Sequence, residues 1–211
     1  MRILTVAIAL LLLAAPARGG QLSAAAYSEL VAKAKSGDAD TDYTLLRLSY
    51  AETPDYDPYS ANSRALFSEA WAAFQAKDCT TALAKADVLL DRDFTRIPVH
   101  LIREECLKSA GDTEGAARSF AIGKGLALSL LESGDGKAPA TAFVVVTLSE
   151  ESFVITNLGL QATAQSLITK DGKPYDMIEG SIAETGEKGA LYFDVSHLME
   201  GMNRQLKKGN P

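Results

Sequence analysis

Gly134-Asp-Gly-Lys-Ala-Pro139 is the stretch on which the reading of this chain turns. Its glycines, aspartate and proline stop regular structure, and the hydrophobic pattern differs on its two sides. Before it, apolar residues recur every three or four positions, the period of helices buried along one face. After it, valine-rich and alternating runs take over, the pattern of strands. Helices followed by a small antiparallel sheet make an α+β protein.

On the helical side the spacing predicts six helices. The first, from Leu22 to Ala34, is stopped by Gly37; the second is capped by Asp40 or Thr41 and carries Tyr43, Leu46 and Tyr50 on its stripe. Glu52-Thr-Pro-Asp-Tyr-Asp-Pro-Tyr59 follows as an ordered linker, because each proline pushes its predecessor out of the α region. Four more helices run over about Ala61 to Ala76, Cys79 to Leu90, Pro98 to Ala110 and Thr113 to Glu132. Leu66, Ala70, Ala73 and Phe74 mark the buried face of the first of these, and Ala116, Phe120, Ala127, Leu130 and Leu131 that of the last. Lys77-Asp-Cys-Thr-Thr-Ala-Leu-Ala-Lys-Ala86 aligns with Gly111-Asp-Thr-Glu-Gly-Ala-Ala-Arg-Ser-Phe120 at a shift of 34, the tetratricopeptide period. Residues 61 to 132 therefore resemble two degenerate tetratricopeptide-like helix pairs, with a plain helical bundle as the alternative. In either arrangement the helix beginning at Cys79 and the one ending beyond Cys106 are joined by a short loop and run antiparallel, so the start of one faces the end of the other. A disulfide stapling the two is expected; two reduced core thiols are the alternative.

On the other side, Ala142 to Leu148 reads as a strand buried on both faces. Ser149-Glu-Glu151 reads as a helix start with Gly159 as its stop, although Phe153 to Thr156 suits a strand equally. A strand from Leu160 to Ile168 returns through the hairpin turn Asp171-Gly172 to Tyr175–Ile182. After a turn at Thr185-Gly-Glu187, Leu191, Phe193 and Val195 share one face of a fourth strand, and Ser196 caps a closing helix striped by Leu198, Met202 and Leu206.

The start of the chain has the order of a secretory signal peptide: Arg2, an uncharged apolar run from Ile3 to Ala15, then small residues at Ala15 and Ala17. That run is too short to anchor permanently. The expected layout is a signal peptide over residues 1–19, a helical region over 20–136, and a β-rich region with a closing helix over 137–211 packed as one unit with the helices. An exported chain free in the periplasm or outside the cell follows, with no membrane contact after cleavage. Its net charge of -6 and scattered Lys and Arg disfavour a nucleic-acid partner.

Catalytic signatures are absent: no Gly-x-Ser-x-Gly elbow, no His-Glu-x-x-His pair, no Cys-x-x-Cys and no phosphate-binding glycine loop. Gly123 and Gly125 sit in a helical stripe and read as packing glycines. His100 has Glu104 one turn away, but two histidines do not make a zinc site, and a surface or capping pair is the simpler reading. Asp38-x-Asp40-x-Asp42 has the opening spacing of a calcium loop, yet Tyr43 stands where glycine is needed, so capping explains it better. No metal or cofactor is expected. Tyr50, Tyr56 and Tyr59, with Asp57 and with Arg47 as an anion anchor, form the one candidate binding segment. The same residues would equally pin the linker to the helices beneath.

Lys35-Ser-Gly-Asp-Ala-Asp-Thr-Asp-Tyr43 with Leu46-Arg-Leu48, then Tyr56-Asp-Pro-Tyr59, Gly134-Asp-Gly-Lys137, Thr141-Ala-Phe143 and Leu191-Tyr-Phe-Asp194 resemble a secreted bacterial family of unknown function, the domain of unknown function numbered 4919. The resemblance spans nearly the whole chain after the signal peptide and brings no catalytic residues with it. The expected function is a non-catalytic interaction module of the cell envelope, whose helix-pair groove holds a peptide or protein. A small-ligand binder or minor enzyme using Tyr50 to Tyr59 is the rival, and it requires Arg47 and Asp57 to converge on one open pocket.

Overall fold

Residues 20–59 and 61–209 are described by the structure, a computed structural model; the expected signal peptide lies outside them. The helical half contains α1 (Ala24–Ser36), α2 (Tyr43–Tyr50), α3 (Ala61–Gln75), α4 (Cys79–Arg92), α5 (Ile97–Ser109) and α6 (Thr113–Leu131). A 3-10 turn at Pro139–Thr141 leads to β1 (Phe143–Val144), α7 (Leu148–Asn157), β2 (Leu160–Lys170), β3 (Lys173–Ile182), β4 (Lys188–Asp194) and α8 (Ser196–Gly209). The protein is α+β, with its helices first and its sheet after them.

Local chemistry accounts for most boundaries. The carboxylates of Asp42, Asp78 and Asp112 accept from the backbone N–H three residues on, capping α2, α4 and α6. The cap of α2 is therefore Asp42 and neither Asp40 nor Thr41, since Asp38 instead accepts from Asp40 N–H in a turn. Gly37 ends α1 in the left-handed region, where φ is +78° and a side chain would be strained. Gly125 has a packing reason: a Cβ there would run into the Tyr43 ring.

Between α4 and α5, Cys79 and Cys106 form the expected disulfide, with Cα atoms 5.2 Å apart. Closing a loop of that separation, 27 residues, restricts the unfolded chain by about 3–4 kcal/mol.

Three expectations are corrected by packing. Phe120 is 48% exposed, because the buried face of α6 runs through Ala116, Ile122, Leu126 and Leu130 and leaves residue 120 turned away. Leu206 is exposed beyond the point where α8 meets the core at Leu198 and Met202. His100 is buried, with a ring nitrogen 2.7 Å from the Phe94 carbonyl and its edge on the Phe94 ring. Burial lowers the His100 pKa to about 4, so the imidazole stays neutral in the core.

The sheet has the order β1-β4-β3-β2. Its β2–β3 and β3–β4 pairs are antiparallel, but β1 runs parallel to β4, which makes the sheet mixed. The valine run expected as a long strand yields only two residues of ladder. One edge of the run bonds β4, through Val145 N–H to the Asp194 carbonyl at 3.1 Å, and β4 ends there; on the other edge side chains take the backbone groups a second strand would otherwise use. Ser133 accepts from Val144 N–H, Arg47 donates to the Val144 carbonyl, Glu150 accepts from Val146 N–H and Tyr56 donates to the Val146 carbonyl. One hydrophobic cluster joins both halves, from Leu46, Leu89, Ile102 and Leu126 to Val145, Val154, Phe193 and Leu198.

Candidate functional site

The tyrosine-rich linker lies between two environments. On its inner side, α2 presents Arg47, which is 1% exposed. The guanidinium donates to Glu150 at 3.1 Å, to the Val144 carbonyl at 2.8 Å and to Ser129 Oγ at 3.1 Å. Burial pushes the Glu150 carboxyl up, and Arg47 and the Val146 N–H pull it back towards the ionised form. Tyr56 is buried and donates its hydroxyl to Val146 at 2.5 Å, and α8 reaches it through Gly201, where a Cβ would strike the ring. Tyr50 packs edge-on to Tyr56 at 5.2 Å and against Tyr27 at 5.5 Å. Burial raises both the Tyr50 and Tyr56 pKa values, so neither phenol is an available base.

These contacts decide what the sequence-derived site can be. Arg47 and Asp57 do not meet in an open pocket: the first is inside the core, the second on the surface. Tyr50 and Tyr56 pin the linker. Of the five candidates, Tyr59 alone stands exposed beside a cavity, and it belongs to the linker's outer side.

There, Pro58 accepts from Leu148 N–H at 3.3 Å, which fixes the end of the linker against the start of α7. Pro58 and Tyr59 form one wall of a groove of about 550 Å³. The second wall is α3, with Arg64, Phe67 and Trp71; α5 contributes Pro98 and Leu101, and α7 contributes Phe153 with the polar edge of Ser152 and Asn157. Phe67 and Trp71 are one turn apart and stack at 6.5 Å, and Phe74 adds a ring 5.5 Å from Trp71. Trp71 and Tyr59 are each 45% exposed, and Leu101 is also open to solvent. Arg64, which is exposed, and Arg96, which is buried and paired with Asp93 at 3.5 Å, line the groove and no carboxylate does, in a chain whose net charge is -6.

Sequence reasoning missed α3 and α7 as groove walls. One signal was present: Phe67, Trp71 and Phe74 repeat at four and three residues, beside the buried stripe of Leu66, Ala70 and Ala73. A separate depression of about 410 Å³ beside His100 is less suited to a partner. Its Arg103 is paired with Asp87, its Arg118 with Glu114, and Lys35 lies over the Phe94 ring.

Among the described residues no group of histidine, cysteine, aspartate or glutamate could hold a metal ion, and no helix is long and apolar enough to cross a membrane. No curated protein and no solved structure matches the chain. A family model does match, over residues 21–204, and the chain belongs to that family, described as Domain of unknown function (DUF4919).

Proposed function

We propose that this chain is an exported, non-catalytic interaction module whose tetratricopeptide-like helix pairs help frame a groove for a peptide segment of a partner protein. The segment is apolar and carries a carboxylate, either a side chain or its own C-terminus. One observation carries this reading: Tyr59, Trp71 and Leu101 stay exposed in a groove that presents the exposed Arg64 and no acid. Exposed aromatic side chains grouped in a concavity mark contact sites, because their removal from water is left for a partner to complete. Arg64 sets the sign of the charge the partner brings. Export is supported by the apolar run from Ile3 to Ala15 after Arg2 and by the Cys79–Cys106 bond, which persists in oxidising compartments.

Trp71 is the single tryptophan of the chain, so its emission reports directly on the groove. Selection from a displayed random-peptide library should enrich sequences that place an aliphatic or aromatic residue close to Asp, Glu or a free C-terminus. Synthetic versions should shift Trp71 emission on titration, and Arg64→Ala should weaken them about tenfold, the loss of one charge-assisted contact. A library that yields no enriched motif, or peptides whose affinity is indifferent to both Trp71→Ser and Arg64→Ala, would remove this function.

A further inference from the structure

One of the two edge strands of the sheet, β2, is 11 residues long, and everything between Leu160 and Ile168 is exposed. Both of its faces are thus open, unlike those of β3 and β4. From Leu160 to Thr169 it carries no charged side chain and no proline, the devices with which proteins ordinarily guard a sheet edge. Its one guard is the bulge between Ala162 and Ala164, which limits regular pairing to the part beyond it.

The hairpin register identifies the unpaired backbone groups. Asp171 and Gly172, at φ +51° and +78°, form a two-residue turn that pairs Lys170 with Lys173. That closing pair exchanges backbone bonds, so Ile168, Ser166 and Ala164 bond to β3, and Gln165, Leu167 and Thr169 aim N–H and C=O away from the sheet. Pro174, opposite Thr169, checks the assignment: its carbonyl accepts from Val195 N–H on the far side.

We propose that β2 is a self-pairing edge: two copies of this chain join β2 to β2, antiparallel, about a twofold axis at Leu167. A twofold sets each residue against a residue of the same strand, which is destabilising wherever like charges meet. In this register Leu167 faces Leu167, Gln165 faces Thr169 and Lys170 faces Ala164, so no like charges oppose. Leu167, 58% exposed in the single chain, becomes covered by its twin. The strand offers no charge by which to select a different protein, and self-complementarity is what remains. Five residues of pairing form a small interface, so the dimer is weak and depends on concentration.

Sedimentation velocity of the chain purified after export, from micromolar to about millimolar concentration, tests this against the scale of affinities. The wild type should pass from one chain to two, and Leu167→Lys should stay single. An equimolar mixture of Leu167→Lys and Leu167→Glu should pair, because the twofold sets the opposite charges face to face. Amide exchange at Gln165, Leu167 and Thr169 should slow as the wild type is concentrated, a readout independent of any variant. A wild type that remains a single chain at millimolar concentration, or a dimer that survives Leu167→Lys, overturns the proposal.

Discussion

Arg47 and Arg64 sit on successive helices of an acidic chain, α2 and α3, and have opposite fates. Arg47 is inside, hydrogen-bonded to Ser129, Val144 and Glu150, and Arg64 is exposed at the groove. The same division runs through α7, which turns Glu150 and Glu151 into the core and Ser152, Phe153 and Asn157 towards the groove. A buried cation with a carboxylate partner holds one arrangement of the chain in place. An exposed cation among aromatic rings is available to another molecule. Residues on the inner side should therefore govern stability, and those on the outer side should govern binding.

The sharpest way to break that division is at Arg47. Arg47→Met leaves Glu150 buried without its cation, and urea unfolding should show a loss of about 3–5 kcal/mol. Adding Glu150→Leu should restore most of it, because the desolvated charge then leaves with its partner. A single variant of wild-type stability would mean that the pair does not lock α2 against α7.

The next effect is a pH dependence on the inner face of α7. Burial, with Asp176 and Glu150 nearby, raises the Glu151 pKa from 4.5 to about 8. The folded chain therefore holds a proton that the unfolded chain has released between those values, and this contribution to stability falls as pH rises through that window. Glu151→Gln keeps the neutral form at every pH. Its melting temperature should match the wild type near pH 4.5 and exceed it by about 5 °C at pH 8. His100 acts with the opposite sign: its depressed pKa makes stability fall as pH drops from 6.5 towards 4. Comparing the two proteins at each pH cancels that slope, so a constant difference in melting temperature would refute the Glu151 assignment.

The smallest expected change in stability lies on the outer side. Trp71→Ser removes a half-exposed ring stacked on Phe67 and tilted against Phe74, and should cost no more than about 1 kcal/mol in urea unfolding. The loss at Trp71 should be well below that at Arg47. Equal losses would make the groove another part of the core, and the contrast would dissolve.

How much was legible depended on the range of the forces involved. The helix spans, the stops at Gly37 and Gly159 and the turn at Asp171-Gly172 are set by neighbours within a few residues, and they appear where the pattern placed them. The pairing of Cys79 with Cys106 followed from two adjacent antiparallel helices, a short step beyond local geometry. The valine run misled because its alternatives lay about 90 to 100 residues away: Arg47 and Tyr56 satisfy carbonyls that would otherwise have gone to a strand. His100 misled for the same reason, since its partner is the Phe94 carbonyl in the loop before its own helix, and not Glu104 one turn on.

By itself, then, the order of residues determined a helical half, a sheet half, their turns and one cross-link, because each answers to contacts between near neighbours in the chain. Tertiary structure alone decided which arginine is enclosed, that β1 runs parallel to β4, and that Tyr59, Trp71 and Leu101 share a groove. Those outcomes depend on which distant segments meet, and hydrophobic burial, being non-directional, leaves that choice to the packing of the whole molecule.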